Sequence, residues 1–240
     1  MKTTIFIPAR MKSSRFPGKP LAPIDGIPMV VYCARNAIKT GFQVYVCTDS
    51  KEIEAICKLY DVNSILTPKC ETGTDRIAIA AKRVETDYII NLQGDEPLIK
   101  TSSITKIISM LPNLKHSQNE IISGVVPIKS EQAFDPNNVK CSLVKNYSKI
   151  QYFSRKPLLN SIENKKPSYY KQIGLYGMTT KTLEKFSKLP KGELEKSESV
   201  ELLRWIENGY TVSSCLIDNY TISVDTPSDL VEVISILEEI

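Results

Sequence analysis

An α/β fold built on a parallel sheet is what the sequence predicts, on three observations. Apolar strand-like segments alternate with amphipathic segments at helical spacing through the first half of the chain. The helical segments are long enough to carry right-handed crossovers between parallel strands. The 240 residues, 42% of them hydrophobic, suffice to bury a substantial core.

The elements follow in order. Residues 3–9 (TTIFIPA) read as the first strand, and a polar loop runs from there to about Pro28. Residues 29–41 (MVVYCARNAIKTG) carry apolar side chains at helical spacing and end on Gly41, a helix stop. A second strand, 42–48 (FQVYVCT), leads to Ser50, which can cap the helix 51–61. Residues 63–68 (NSILTP) are a third strand, and 72–84 (TGTDRIAIAAKRV) begin as a loop and continue as a helix. Residues 87–94 (DYIINLQG) are a fourth strand, and 102–114 (SSITKIISMLPNL) a further helix. The second half is less regular. Residues 122–128 read as a strand, 141–146 and 149–155 as a hairpin-like pair around Tyr147 and Ser148, and the Asn/Lys/Pro-rich stretch 157–167 as a loop. A strand at 170–179, a short helix at 182–190 and a helix at 196–209 ending on Gly209 come next. A strand at 210–217 and a terminal helix capped by Thr226 or Ser228 complete the pattern. No internal repeat and no linker between domains is visible, so 1–240 reads as one domain.

Composition narrows the function classes. The net charge of +4 is mild and suits an anionic small molecule, and no Lys/Arg block is dense enough to argue for nucleic acid; Lys165 and Lys166 read as a solvated loop. No segment approaches the roughly 18 apolar residues of a membrane helix, and the N-terminal apolar run is too short for a signal peptide. Six scattered cysteines without a CxxC pair read as reduced thiols in a cytoplasmic protein. The single histidine, His116, sits in a polar stretch and leaves no material for a His-based triad or metal site.

Four segments carry chemistry. The loop after the first strand holds Pro8, Ala9, Arg10, Ser13, Ser14, Arg15, Gly18 and Lys19. In an open parallel sheet, ligands bind where loops leave the carboxyl ends of strands. Guanidinium, ammonium and backbone N–H groups there can wrap a triphosphate, although neither a Walker loop nor a GxGxxG motif is present. In NLQGDEPL the fourth strand runs into Gly94 and Asp95, placing a carboxylate beside that loop. Magnesium takes one or two carboxylates together with phosphates and water, so Asp95 is the natural ligand and Glu96 the alternative. Asp225, before the terminal helix, can supply a second carboxylate; alone, Asp225-Thr226-Pro227 also reads as a helix start. Thr72, Gly73, Thr74 and Arg76 form a small-residue loop that lets backbone approach a flat base, with Arg76 reaching phosphates or structuring the loop.

Together and in this order, IPARxxSSRFPGKPL, TGTDR, NLQGDEPLI, AFDPNNVK, YFSR, IGLYG, LExxExxELLR and VDTPSDL resemble the 3-deoxy-manno-octulosonate (Kdo) cytidylyltransferases over nearly the whole chain. The resemblance implies a nucleotide-diphospho-sugar transferase fold: a mostly parallel, Rossmann-like sheet with helices on both faces and a smaller β-rich portion, around 123–180, for sugar binding and dimerisation. It implies an enzyme that transfers CMP from CTP to the anomeric hydroxyl of Kdo or a related 2-keto-3-deoxy acid, with Mg²⁺ as cofactor and pyrophosphate as leaving group, for lipopolysaccharide or capsule synthesis. Arg10 and Lys19 would hold the triphosphate, Asp95 and Asp225 the metal, and Gln93 and Arg76 the nucleotide site. Arg155 would meet the sugar carboxylate, and Gln93, Gln172, Tyr176, Glu198, Glu201 and Leu202 would belong to the sugar side.

Two positions depart from the family pattern: Gln172 stands where a histidine is usual, and Leu202 where a glutamine is usual. Both weaken the assignment to Kdo itself and keep an amino-substituted or differently configured acid open. The alternatives are a nucleotidyltransferase for another sugar or polyol phosphate, and a silent nucleotide-binding homologue.

Overall fold

Every residue of strand β1 (Thr3–Ala9) after the first is buried. A strand apolar along its length must be covered on both faces. Ile5 and Ile7 enter one core with Val30, Ala34, Ile53 and Ile104; Phe6 enters a second with Ile77, Leu183 and Trp205. This is the computed structural model of the chain, and it describes residues 2–114, 119–144, 146, 148–158, 168–217 and 221–239. His116, Tyr147, Lys165, Lys166 and the greater part of the 157–167 loop lie outside the described residues.

After β1 come a short hairpin of β2 (Pro23–Ile24) and β3 (Ile27–Pro28), then α1 (Met29–Ile38), β4 (Gln43–Thr48), α2 (Lys51–Leu59), β5 (Ser64–Leu66), α3 (Gly73–Ala81), β6 (Tyr88–Leu92) and α4 (Thr101–Met110). The second half contains β7 (Glu120–Ile128), β8 (Lys140–Val144), β9 (Lys149–Ser154), β10 (Tyr169–Thr179), α5 (Thr180–Phe186), α6 (Glu193–Glu198), α7 (Leu202–Glu207), β11 (Thr211–Leu216) and α8 (Pro227–Glu238). One sheet runs in the order β5-β4-β1-β6-β10-β7-β11-β9-β8. Its first four strands are parallel, as expected for strands joined by helices. Strand β10 is antiparallel to both β6 and β7, and β8 pairs with β9 and again with β10. The strands β10, β7, β11, β9 and β8 therefore close on themselves, which makes the sheet mixed rather than parallel throughout.

Three local features differ from the sequence reading. The polar loop before α1 contains the β2–β3 hairpin and a 3₁₀ turn at Lys19–Leu21. Helix α3 starts at once after Thr72, whose hydroxyl accepts the Asp75 N–H at 3.1 Å, so TGTDR is a capped helix start rather than a loop. The helix expected over 196–209 is broken into α6 and α7 at Ser199, which takes a left-handed conformation with φ of 53°. The two glutamates flanking the break are drawn to different partners. Glu198 accepts from the Arg155 N–H of the β9 end at 2.7 Å, and Glu201 from the Gly73 N–H of α3 at 3.1 Å. Of the two caps expected for α8, Thr226 is the one used, in a reciprocal box with Asp229.

Candidate active site

The loops that leave the carboxyl ends of β1 and β6, the N-terminus of α3, Asp225 and the α6 region line one cavity of about 1140 Å³. This is the edge of a parallel sheet where ligands bind. The loop after β1 is folded back on itself. Gly18 has φ of 74°, a left-handed conformation that suits glycine, and its N–H donates to the Met11 carbonyl at 3.3 Å. The Ser13 hydroxyl accepts the Phe16 N–H at 3.3 Å. Pro8, Ala9, Arg10, Ser13, Ser14, Arg15 and Lys19 thereby all face the cavity, with Arg10 exposed.

Three charges meet at its floor. The Lys19 ammonium lies 2.7 Å from Asp95, 3.5 Å from Asp225 and 2.8 Å from the Val224 carbonyl. Arg15 reaches Asp225 at 2.9 Å and Asn137 at 2.8 Å. Burial pulls the Lys19 pKa down, but Asp95 and Asp225 outweigh it and the net shift is upward. The Val224 N–H donates to the Asp95 carbonyl at 2.8 Å, so the backbones carrying the two carboxylates are joined directly. Two carboxylates from separate loops thus share one cation, in a site that offers oxygen donors. Among the described residues no group of three or more His, Cys, Asp or Glu is arranged so that it could hold a metal ion. A pair of carboxylates beside a loop bearing Arg10, Arg15 and Lys19 fits Mg²⁺, which takes one or two carboxylates and completes its shell with phosphate and water. Glu96 does not compete for that role: it is 3% exposed and does not line the cavity.

Thr72, Gly73, Arg76 and Gln93 form the next part of the wall. The Arg76 guanidinium is committed inward, to Asp49 at 3.2 Å and the Thr67 hydroxyl at 2.6 Å, where it ties α3 to the ends of β4 and β5. Gln93 donates to the Asn91 carboxamide at 3.0 Å. Thr74 is buried behind this wall and donates to Glu201. Glu201 does line the cavity, and its carboxylate also sits at the N-terminus of α3, where the helix dipole favours negative charge.

The residues assigned to the sugar side are more dispersed. Only Gln93 and Glu201 reach the cavity. The Arg155 guanidinium donates to the carbonyls of Glu198 at 2.8 Å, Pro136 at 2.9 Å and Ser199 at 3.4 Å, outside the cavity lining. Gln172 donates to the Tyr176 hydroxyl at 2.9 Å, and both are buried. Burial pushes the Tyr176 phenol up, and the nearby carboxylates Glu201, Glu96 and Asp95 add to it. Glu198 is held by Ser154 and Arg155. Leu202 is 1% exposed, in the core that contains Trp205 and Phe186, and does not line the cavity. In their place the structure brings Lys191, Glu195, Lys196 and Ser199 to the far wall, none of which the sequence reading singled out. Apart from the LExxExxELLR match, which pointed to Glu198 and Glu201, a charged stretch such as KGELEKSES carries only the signal of a solvated helix. What draws it in is Arg204 of α7, which forks onto both oxygens of Glu195 at 2.7 Å and reaches Asp75 of α3 at 3.4 Å. Lys191 adds a contact to Glu71 at 2.9 Å.

Comparison with known proteins fits this arrangement. A family described as Cytidylyltransferase matches residues 4–215. The chain is 39% identical over 245 residues to a 3-deoxy-manno-octulosonate cytidylyltransferase of Chloroherpeton thalassium, covering 99% of this chain and 98% of that one. It is 37% identical over 236 residues to an 8-amino-3,8-dideoxy-manno-octulosonate cytidylyltransferase of Shewanella halifaxensis, with 96% of each chain covered. Among solved structures, a CMP:2-keto-3-deoxy-manno-octonic acid synthetase complexed with CTP superposes with a TM-score of 0.90 at 31% identity, over 100% of this chain and 99% of that one.

Proposed function

The chain belongs to the cytidylyltransferase family, and from that premise we propose that it transfers CMP from CTP to the anomeric hydroxyl of 3-deoxy-manno-octulosonate or its 8-amino derivative, releasing pyrophosphate. The observation that carries the reading is the convergence of Asp95 and Asp225 on Lys19 beneath a loop bearing Arg10 and Arg15. In the reaction the sugar oxygen bonds to the α-phosphorus of CTP as the bond to pyrophosphate breaks, and the hydroxyl proton is lost. Such a transfer depends on positioning and on stabilising charge on the phosphates. Arg10, Lys19 and the backbone N–H groups of the loop grip the triphosphate. Thr72, Gly73 and Gln93 flank the nucleoside, and Glu201 and Gln93 face the acceptor. Asp95 and Asp225 are the residues that would hold Mg²⁺, whose chemistry there is neutralisation of the triphosphate charge.

The two named acceptors differ at one position, hydroxyl against amine, and the relatives divide between them. The test is pyrophosphate release from CTP and Mg²⁺ with a panel of acidic sugars that includes both. Release with either supports the reading and identifies the acceptor. Release only with a sugar or polyol phosphate would overturn the acceptor, and none with any acceptor would favour a nucleotide-binding homologue.

The reading extends to a homodimer joined through the β-rich portion, which sedimentation would check, and to a place in bacterial surface glycan synthesis. A cytoplasmic location is supported by the cysteines, which are scattered without a CxxC pair and five of which are buried. Among the described residues no helix is long and apolar enough to cross a membrane.

A further inference from the structure

Glu96 is fully enclosed, beside the site yet not in contact with the cavity. Burying a carboxylate is costly unless donors surround it. Three do, one from β10 and two from the segment 221–225. The Gly174 N–H donates to one oxygen at 2.8 Å, the Ser223 hydroxyl donates to the same oxygen at 2.6 Å, and the Thr221 hydroxyl to the other at 3.0 Å. Burial raises the Glu96 pKa, and the charge of buried Lys171 works against that rise. The approach of β10 is close enough that a Cβ on Gly174 would stand 2.9 Å from the Glu96 Cγ and 2.7 Å from the Gln93 Cβ. It occurs where the register of β10 against β7 shifts, between Gln172 and Tyr176.

The stretch 221–225 is not part of any strand, so no sheet ladder places Asp225. On one side Asp225 is anchored by α8, through its own N–H to Asp229 at 2.8 Å. On the other side the Val224 N–H donates to the Asp95 carbonyl at 2.8 Å, and the hydroxyls of Thr221 and Ser223, just before Val224, end on Glu96, the residue next to Asp95.

We propose that Glu96 is a positioning residue, which sets the spacing of Asp95 and Asp225 by clasping the 221–225 segment to the loop after β6. The inference rests on the reading of those two aspartates as a divalent-cation site. Losing a direct hydrogen-bond partner of a metal ligand costs about 10- to 100-fold in affinity, and Glu96, which bonds to residues near Asp225 and not to either carboxylate, belongs at the low end of that range. Glu96→Gln keeps the shape, removes the charge and leaves one acceptor oxygen in place of two, so the Thr221 hydroxyl loses its acceptor.

The test is Mn²⁺ binding in the presence of CTP and without sugar, read by electron paramagnetic resonance, on variants shown to be folded by circular dichroism. Glu96→Gln should weaken Mn²⁺ binding about tenfold. Combined with Asp225→Asn it should add little, because the second change then removes a group already displaced. Ser223→Ala, which deletes one of the three donors, makes the same test should the glutamine variant not fold. Unchanged Mn²⁺ affinity in a folded variant, or full additivity with Asp225→Asn, would overturn the proposal while leaving the metal site standing. Wild-type protein that binds no Mn²⁺ would overturn the metal site itself and this inference with it.

Discussion

Replacing Lys19 with methionine removes one positive charge from between two carboxylates and keeps most of the side chain's volume. The ammonium stands 2.7 Å from Asp95 and 3.5 Å from Asp225, with the three side chains 13%, 30% and 22% exposed. Unit charges about 4 Å apart interact by about 1 kcal/mol in water and about 4 kcal/mol at an effective dielectric of 20. A partly exposed cluster falls between these limits, at about 2 kcal/mol. A divalent cation entering the pair must displace that interaction, so the methionine variant should bind Mn²⁺ about tenfold or more tightly in the absence of nucleotide. CTP binding without metal should move the other way. Loss of one charge-assisted contact to phosphate is worth about 1.5–3 kcal/mol, or about 10- to 150-fold. Mn²⁺ titration followed by electron paramagnetic resonance and CTP titration by calorimetry in EDTA read the two shifts separately. Lys19→Arg retains the charge and should leave the Mn²⁺ affinity near that of wild type. Unchanged or weaker Mn²⁺ binding by a folded Lys19→Met variant would refute the idea that lysine and metal share one place.

Three other outcomes are expected. Asp225→Asn should lower the rate of pyrophosphate release by about a hundredfold or more, with a melting temperature close to wild type, since Lys19 keeps its contact to Asp95 and the half-exposed Arg15 its contact to Asn137. Leu202→Gln should destabilise the protein by about 2–4 kcal/mol in urea unfolding, because it buries an unpaired amide, and should leave acceptor preference unchanged; a shift in preference with normal stability would return position 202 to the sugar site. Burial pushes the Glu201 carboxyl above its ordinary 4.5, although Thr74 and Gly73 donate to it. The folded state therefore holds that proton more tightly than the unfolded chain, and the stabilisation present below pH 4.5 is lost as pH rises through the folded value. Glu201→Gln should flatten the fall in thermal stability just above pH 4.5, and an unaltered slope would show that the loss belongs to other groups.

The parallel half of the fold was legible because its signals are local. An apolar run such as IFIPA, a Ser50 cap or a Gly41 stop needs only neighbours a few residues away. The cavity floor was legible for a related reason. Lys19, Asp95 and Asp225 each follow a feature readable in the sequence, and a parallel sheet sends the loops after β1 and β6 to one edge. The break at Ser199 was not legible, because KSESVELLRWIENG reads as one helix across it. Only the separate pulls of Ser154 and Arg155 on Glu198 and of Gly73 on Glu201 divide it.

The same break shaped the far wall of the cavity. It turned Leu202 into the core, committed Glu201 to the helix start as well as the cavity, and swung Lys191 and Lys196 to the rim. By itself the sequence determined the family resemblance, the order of the parallel strands' loops and the charged groups at the floor. All of these follow from residue type and short-range pattern. Only the tertiary structure decided that Glu96 faces inward, that β10 runs antiparallel through the middle of the sheet and that Arg155 is bound by carbonyls. Those outcomes depend on which distant segment supplies the partner for a buried charge or an unpaired strand edge. Partners such as Gly174 and Thr221 lie 78 and 125 residues from Glu96, beyond the reach of any local pattern.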